Sequence, residues 1–166
     1  MSAEPWLRGV VPGVHPVTGH LLRASEQIRE DLERALAPLT TAQLWAMPDE
    51  MTSAGFHAKH LAGSTNRLCT YLEGRQLTRE QLVALSKEAA GSESAAELIA
   101  QVGAAFDRYD ALVRELSPER FGEIRGVGRQ RLPTTAVSLA IHIAEHGMRH
   151  VGQAIGAAKL ARVRIV

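Results

Sequence analysis

The stretch AIHIAEHGMRHVGQ, residues 140–153, decides how this chain folds. It places His142, His146 and His150 at intervals of four residues, so on an α-helix their side chains lie one above the other along a single face. Apolar residues border this stripe, which predicts a helix that is at least half buried. Two imidazoles at this spacing, with a third ligand from elsewhere, can hold a divalent metal. Spacing alone leaves a second interpretation open, in which one ring is buried, one caps a helix end and one is exposed.

The composition of the chain indicates one globular domain. At 166 residues the chain is long enough to close a hydrophobic core without help, and we expect a single domain over residues 1–166. Prolines and glycines make residues 1–15 an irregular lead-in. The net charge is +1 and aromatic residues make up 4% of the chain. Both values disfavour nucleic acid as a partner, because phosphates attract a basic surface and single-stranded bases stack on aromatic rings.

The sequence also indicates in which cellular compartment we expect the protein. The chain has one cysteine, Cys69, which excludes an internal disulfide and fits a reducing environment. Its first residues lack the basic and apolar regions of a signal peptide, and no apolar run reaches the length of a membrane span. We therefore expect a cytoplasmic protein that does not contact a membrane.

Hydrophobic periodicity predicts four long helices. Their expected limits are about 17–37, 53–72, 94–116 and 134–159. The last helix has Thr134 or Thr135 as its cap. A capped turn at residues 40–45 and a short helix at 78–87 lie between the long helices, the short helix within a crossover through residues 74–93. Because no segment shows the alternation of a strand, the sequence predicts an all-α fold, a four-helix bundle with a longer crossover and short extra helices.

Residues 122–133 combine three glycines with Arg125, Arg129 and Arg131. Glycine-rich segments can cradle a phosphate, but this segment lacks the Lys-Ser/Thr signature of a P-loop and no predicted strand precedes it. We therefore expect a basic, flexible connection.

The helix expected at residues 53–72 carries His57 and His60, three residues apart and so on roughly the same face. If this helix and the last one are neighbours in the bundle, His60 comes within reach of the histidine stripe. Three neutral imidazoles from two helices leave positions open for water or substrate. Open positions are typical of catalytic rather than structural metal sites.

Two motifs, in their order along the chain, resemble the DinB-like superfamily, which includes the YfiT group. The first is FHAKHLAGSTNRL at residues 56–68, and the second is HxxxHxxxHVGQ at residues 142–153. Shorter matches at residues 39–44 and 77–81 extend the resemblance over nearly the whole chain. The resemblance implies a four-helix bundle, often dimeric, with a divalent metal on three histidines.

Carried over to this sequence, the resemblance assigns the metal ligands to His60, His146 and His150. The Gly-Gln after His150 selects this pair on the last helix over the equivalent pair that includes His142. The His-Leu-Ala-Gly-Ser context favours His60 over His57. His57 and His142 are then candidates for hydrogen bonding to a ligand or for a base facing the substrate, with ordinary packing as the competing explanation. We expect zinc or nickel as the metal, a low-molecular-weight thiol among the substrates, and a homodimer.

Gly147 distinguishes this site from that of the zinc proteases. It occupies the position of the general base in their His-Glu-x-x-His motif. Glu145 lies about 100° around the helix from His146 and is poorly placed to replace that base, so we exclude a protease. Gly147, Gly152 and Gly156 each cost a helix about 1 kcal/mol relative to alanine. Their presence indicates close approach of another helix, within the chain or across a dimer interface.

Two functions from different classes follow. The resemblance implies an enzyme whose metal activates a thiol or water for transfer or hydrolysis on a small molecule. The alternative is a non-catalytic helical binding module, either stress-related or stabilised by a structural metal. In that module His57 or His142 completes a set of four ligands.

Overall fold

The computed structural model describes residues 3–164 and has four long helices as its framework. In chain order the elements are α1 (Pro16–Leu36), α2 (Thr41–Trp45), α3 (Ala54–Leu72), α4 (Arg79–Leu85), α5 (Ala95–Glu115), β1 (Ile124–Val127), β2 (Leu132–Thr135) and α6 (Ala136–Arg164). The predicted domain limits, residues 1 and 166, lie outside the described residues. The predicted helical bundle with short extra helices is confirmed. Within residues 3–164, no helix has both the length and the apolar composition needed to cross a membrane.

Serine and threonine side chains set where several helices begin. Thr40, Thr78 and Ser94 form reciprocal capping boxes at the starts of α2, α4 and α5. Ser53 accepts a hydrogen bond from the backbone N–H of Phe56 and starts α3 at the predicted position. Two of these caps lie along the crossover between α3 and α5, one before α4 and one before α5.

The helix α1 begins at a histidine cap. Nδ1 of His15 accepts a hydrogen bond from the backbone N–H of Val17 at 3.2 Å. Pro16 occupies the first helical position, where its missing N–H costs nothing. The sequence analysis gave His15 no role, and the structure gives it this one.

The four long helices pack so that α1 and α3 lie diagonally across the bundle. α3 packs against α5 and α6, and α1 packs against the same two helices. Side chains from all four meet between them, including Ile28, Leu61, Phe106 and Ile143, each at most 1% exposed. The two histidine-bearing helices are therefore neighbours, which was the condition for a shared site.

Gly147 allows α6 to approach two other helices closely. A Cβ atom at this position would lie 2.5 Å from Cδ1 of Ile28 on α1 and 3.2 Å from Cζ of Phe106 on α5. The close approach expected for this glycine therefore occurs within the chain. An added Cβ at Gly152 or Gly156 meets no described atom within 4 Å, so packing inside the bundle does not explain these two glycines.

The expectation of a flexible connection without strands at residues 122–133 was wrong. The segment forms an antiparallel hairpin in which β1 pairs with β2, from Ile124 opposite Thr135 to Val127 opposite Leu132. The strands are four residues long and lack a clear apolar alternation, so they give little signal in the sequence. Pro133 lies within β2.

Arg125 attaches the hairpin to the bundle. Its side chain is buried, and Nε donates to the carbonyl oxygen of Leu72 at 2.6 Å. That carbonyl lies in the last turn of α3, where backbone oxygens have no partner within the helix. Arg125, which was expected in a basic, flexible connection, therefore fixes the end of α3.

The helix α6 begins where predicted and ends later. Oγ1 of Thr135 accepts from the backbone N–H of Ser138 at 3.2 Å, as a cap does. The helix then continues to Arg164, beyond the expected end near residue 159.

Candidate metal centre

Three histidines from α3 and α6 form one cluster. His60, His146 and His150 each offer a ring nitrogen, and these nitrogens lie within 4.8 Å of one another. The ring centroids are 4.4 Å apart for His146 and His150 and 4.6 Å apart for His60 and His150. The structure thus brings together the three residues that the resemblance assigned as ligands.

A buried nitrogen without a partner lies in this cluster. Nε2 of His146 is buried, and it has no hydrogen-bond partner within the described part of the chain. Leaving such an atom unpaired costs about 1–3 kcal/mol, and a bound cation would remove that cost. Imidazole nitrogens are also good ligands for zinc, nickel, copper and iron. The residues present therefore fit a divalent metal.

The environment keeps two of the rings uncharged at neutral pH. Burial, together with the nearby His60, His142 and Arg149, lowers the pKa of His146 to about 4. Burial likewise lowers the pKa of His150 to about 4, helped by His146 and His60. Because metals bind the neutral form of imidazole, these two rings would need to lose no proton if an ion bound at pH 7.

Glu88, from the crossover, lies against His60. Oε2 of Glu88 is 2.8 Å from Nδ1 of His60, and the same carboxylate pairs with both terminal nitrogens of Arg67. The side chain is 5% exposed. Burial raises the pKa of Glu88, but the hydrogen bonds from His60 and Arg67 outweigh it and the net pKa is lowered, so the carboxylate is ionised at neutral pH.

Sequence reasoning missed Glu88. It is separated from His60 by 28 positions and lies outside both histidine motifs. No helical or strand periodicity connects the two residues. Only the path of the crossover brings them together.

His57 lies beside His150 and outside the cluster of three. Nδ1 of His57 is 3.2 Å from Nδ1 of His150, so one ring donates and the other accepts. His57 is buried, and burial together with the nearby His60 lowers its pKa. The structure therefore places this residue where it can orient His150.

His142 lies one turn before His146 on α6 and is exposed to solvent. Its ring centroid is 5.8 Å from that of His146, so it is close to the cluster without belonging to it. Glu145 is also exposed. It lines a groove between α1 and α6 whose lining residues include none of the three clustered histidines.

The number of side chains in the cluster bears on which kind of metal site it could form. Among the described residues, the group close enough to share an ion contains three side chains. Neither His57 nor His142 joins it, although either would be needed as the fourth ligand of a closed structural site.

Two other sequence features do not contribute chemistry here. Cys69 is buried, and burial raises the pKa of its thiol to about 12, so it is not a nucleophile at neutral pH. Arg125 is held in the hairpin contact to α3. Arg129 and Arg131 are exposed and lie in the turn between β1 and β2.

Comparison with known proteins identifies the family of the chain. No curated protein gives a significant match to the chain. The sequence model of the DinB superfamily matches residues 24–154, which is more than half of the chain and contains the three clustered histidines as well as His57 and His142. The chain therefore belongs to the DinB superfamily.

Proposed function

We propose that this protein is a metal-dependent enzyme that acts on a small molecule with a low-molecular-weight thiol or water as the nucleophile. Its ligands are His60, His146 and His150, and its metal is zinc or nickel. The observation that carries the proposal is the cluster of three ring nitrogens, one of which is buried without a partner. A three-ligand set favours catalysis over structure because a fourth position stays open.

A divalent ion held by imidazoles lowers the pKa of a thiol or water bound beside it to near neutrality. The chain's own residues divide the remaining tasks. His142, which is exposed next to His146, is the proposed base that takes the proton from the nucleophile. His57, in contact with His150, holds that ligand in place.

Metal content tests the proposal first. The wild-type protein, without an affinity tag, is expected to carry about one divalent ion per chain, and His60→Ala and His150→Ala are expected to lose it while the helical circular-dichroism signal persists. The matched control is His20→Ala, an exposed histidine outside the cluster, which should keep the ion. A wild-type protein that stays metal-free after incubation with zinc and with nickel would refute the proposal.

Turnover is the second test. The metal-loaded protein should catalyse the attack of a small thiol, or of water, on an electrophile. His142→Gln should lower kcat by about 10²–10⁴-fold, the usual contribution of a general base, and leave metal content unchanged. A His142→Gln variant as active as the wild type would exclude His142 as the base.

A non-catalytic binding module is the second candidate. The observation that favours it is the groove between α1 and α6, about 770 Å³ in volume and largely apolar, lined by residues that include Val17, Leu21, Ile141 and Met148. In this case the ion would be structural and would link α3 to α6. Removing it would lower the melting temperature strongly, and no thiol–electrophile pair would be turned over.

The homodimer remains a prediction. Gly152 and Gly156 support it, because an added side chain at either position meets no described atom of the same chain. Light scattering coupled to size-exclusion chromatography measures the mass directly. A mass of about 18 kDa across the accessible concentration range would contradict the dimer.

A further inference from the structure

One face of α3 is built around the carboxylate of Glu88. His60, Gly63 and Arg67 occupy positions i, i+3 and i+7 of the helix and so lie along one side of it. Both His60 and Arg67 donate hydrogen bonds to Glu88. A Cβ atom on Gly63 would collide with Oε1 of Glu88. The missing side chain at Gly63 therefore makes the room that the carboxylate occupies.

The hydrogen bonds of this group determine where His60 carries its proton. An ionised carboxylate can only accept, so the contact of 2.8 Å requires an N–H at Nδ1 of His60. Arg67 already balances the buried negative charge at short range, so Glu88 does not need a charged imidazole beside it. A neutral ring protonated at Nδ1 has its lone pair at Nε2.

We propose that Glu88 is a positioning residue that holds His60 as the Nδ1–H tautomer and thereby leaves Nε2 of His60 free for the metal. This inference rests on the proposed metal-binding function and adds to it a residue from outside the histidine motifs. Partners of this kind fix the tautomer and the orientation of a metal-binding histidine, and their loss typically weakens metal binding by about 10–100-fold.

The crossover that carries Glu88 is attached to the bundle independently of His60. Nζ of Lys59 lies 2.7 Å from Oε1 of Glu93 and donates to the carbonyl of Ala90 at 3.0 Å. Nε1 of Trp45 donates to the carbonyl of Glu93 at 2.9 Å. A change in the carboxylate of Glu88 therefore leaves the segment around it anchored, so the variant reports on His60 rather than on the path of the chain.

The test compares Glu88→Gln with Glu93→Gln in the full-length protein. Both variants replace a crossover carboxylate by an amide, but Glu93 is paired with Lys59 and not with a clustered histidine. A glutamine at position 88 can donate as well as accept, so it no longer specifies the tautomer of His60. Long-range ¹H–¹⁵N NMR of the metal-free protein identifies the protonated nitrogen of His60, and competition with a chromophoric chelator gives the zinc affinity.

The proposal predicts Nδ1–H for His60 in the wild type and in Glu93→Gln, and a mixture of tautomers in Glu88→Gln. It predicts zinc affinity lower by about 10–100-fold in Glu88→Gln and changed less than about threefold in Glu93→Gln. Gly63→Ala provides a second variant, because it displaces the carboxylate without removing it and places a good helix former in α3. It should reproduce both effects of Glu88→Gln.

Failure of this inference and failure of the proposed function give different results. Zinc binding by Glu88→Gln with wild-type affinity, or a wild-type His60 protonated at Nε2, would overturn the role of Glu88 even if the wild-type protein binds metal. A wild-type protein that binds neither zinc nor nickel while its His60 carries the proton on Nδ1 would overturn the proposed function. The control of Glu88 over the tautomer would then stand.

Discussion

The α6 side and the α3 side of the histidine cluster are held by different kinds of contact. On α6, His146 and His150 come together through one local rule, the four-residue repeat of a helix. On α3, His60 has a carboxylate behind it, and that carboxylate arrives from the crossover and is fixed by Arg67. The α6 pair exists wherever the helix forms, whereas the orientation of His60 requires the crossover to be in place. One helix supplies two of the three clustered histidines, and the tertiary fold supplies the orientation of the third.

Removing a ligand from the α6 side should have the largest effect. We expect His146→Ala to lower zinc affinity by about 10³-fold or more, because structural zinc sites bind with about 10–16 kcal/mol shared among their ligands. The chelator competition described above measures it, with His20→Ala as the matched control. An affinity within about threefold of wild type would show that the ion, if bound, is held elsewhere.

The contact between His57 and His150 sharpens the comparison between the two helices. It gives a histidine of α6 a hydrogen-bond partner, as Glu88 does for His60 on α3. We expect His57→Phe, which keeps an aromatic ring at a buried position, to weaken zinc binding by about 10–100-fold through the loss of the hydrogen bond to Nδ1 of His150. The loss should be smaller than that of His146→Ala, because the three ligands remain. If the two variants lose the same affinity, His57 is a ligand rather than a partner of one.

The α6 half of the site could be predicted from the sequence because its determinants are local. The repeat of four places the rings on one face, and Thr135 caps the helix as expected. The start of α3 at Ser53 was likewise readable from a local capping pattern. The choice of His60 over His57, and of the pair His146 and His150 over the pair that includes His142, came from the resemblance, since spacing alone did not separate them.

The parts of the fold and of the site that could not be predicted depend on contacts between residues far apart in the sequence. Glu88 meets His60 only through the crossover, and Arg125 is buried only because the hairpin folds onto the end of α3. In the sequence Arg125 looks like one of several arginines in a glycine-rich loop. The short strands beside it are stabilised by pairing and by this anchor rather than by a propensity that a single segment displays.

Lowering the pH should reduce the stability of the metal-free protein through the two clustered histidines of α6. The pKa of His146 and of His150 is about 4 in the folded state, against about 6.5 for an unfolded chain. Between these values the unfolded state binds more protons, so the free energy of unfolding should fall as the pH is lowered from about 6.5 to about 4. Above pH 6.5 this contribution is complete.

Urea denaturation of the metal-free protein at pH 7 and at pH 5 measures this dependence, and NMR titration of the histidine rings assigns it. The double variant His146→Gln, His150→Gln should lose part of the dependence. Titration of both rings near pH 6.5 in the folded protein would contradict the burial on which the prediction rests.

Two glycines of α6 give the smallest expected effects, and these have opposite signs. Gly147→Ala places a Cβ 2.5 Å from Cδ1 of Ile28 and 3.2 Å from the Phe106 ring. Overpacking of this kind costs about 1–3 kcal/mol, and the gain in helix propensity offsets about 1 kcal/mol of it. Gly152→Ala meets no described atom within 4 Å, so only the gain remains there if the chain is monomeric.

We therefore expect the free energy of unfolding to fall by about 1 kcal/mol in Gly147→Ala and to rise by up to about 1 kcal/mol in Gly152→Ala. Urea denaturation of the metal-free protein, at a concentration where the chain is monomeric, measures both. A stabilised Gly147→Ala would mean that Ile28 moves aside at little cost and that α6 is not closely packed between His146 and His150. If Gly152→Ala is destabilised only at concentrations where the protein is dimeric, Gly152 lies in the dimer interface. The partner subunit would then pack closely against the face of α6 that no other described helix of the same chain covers.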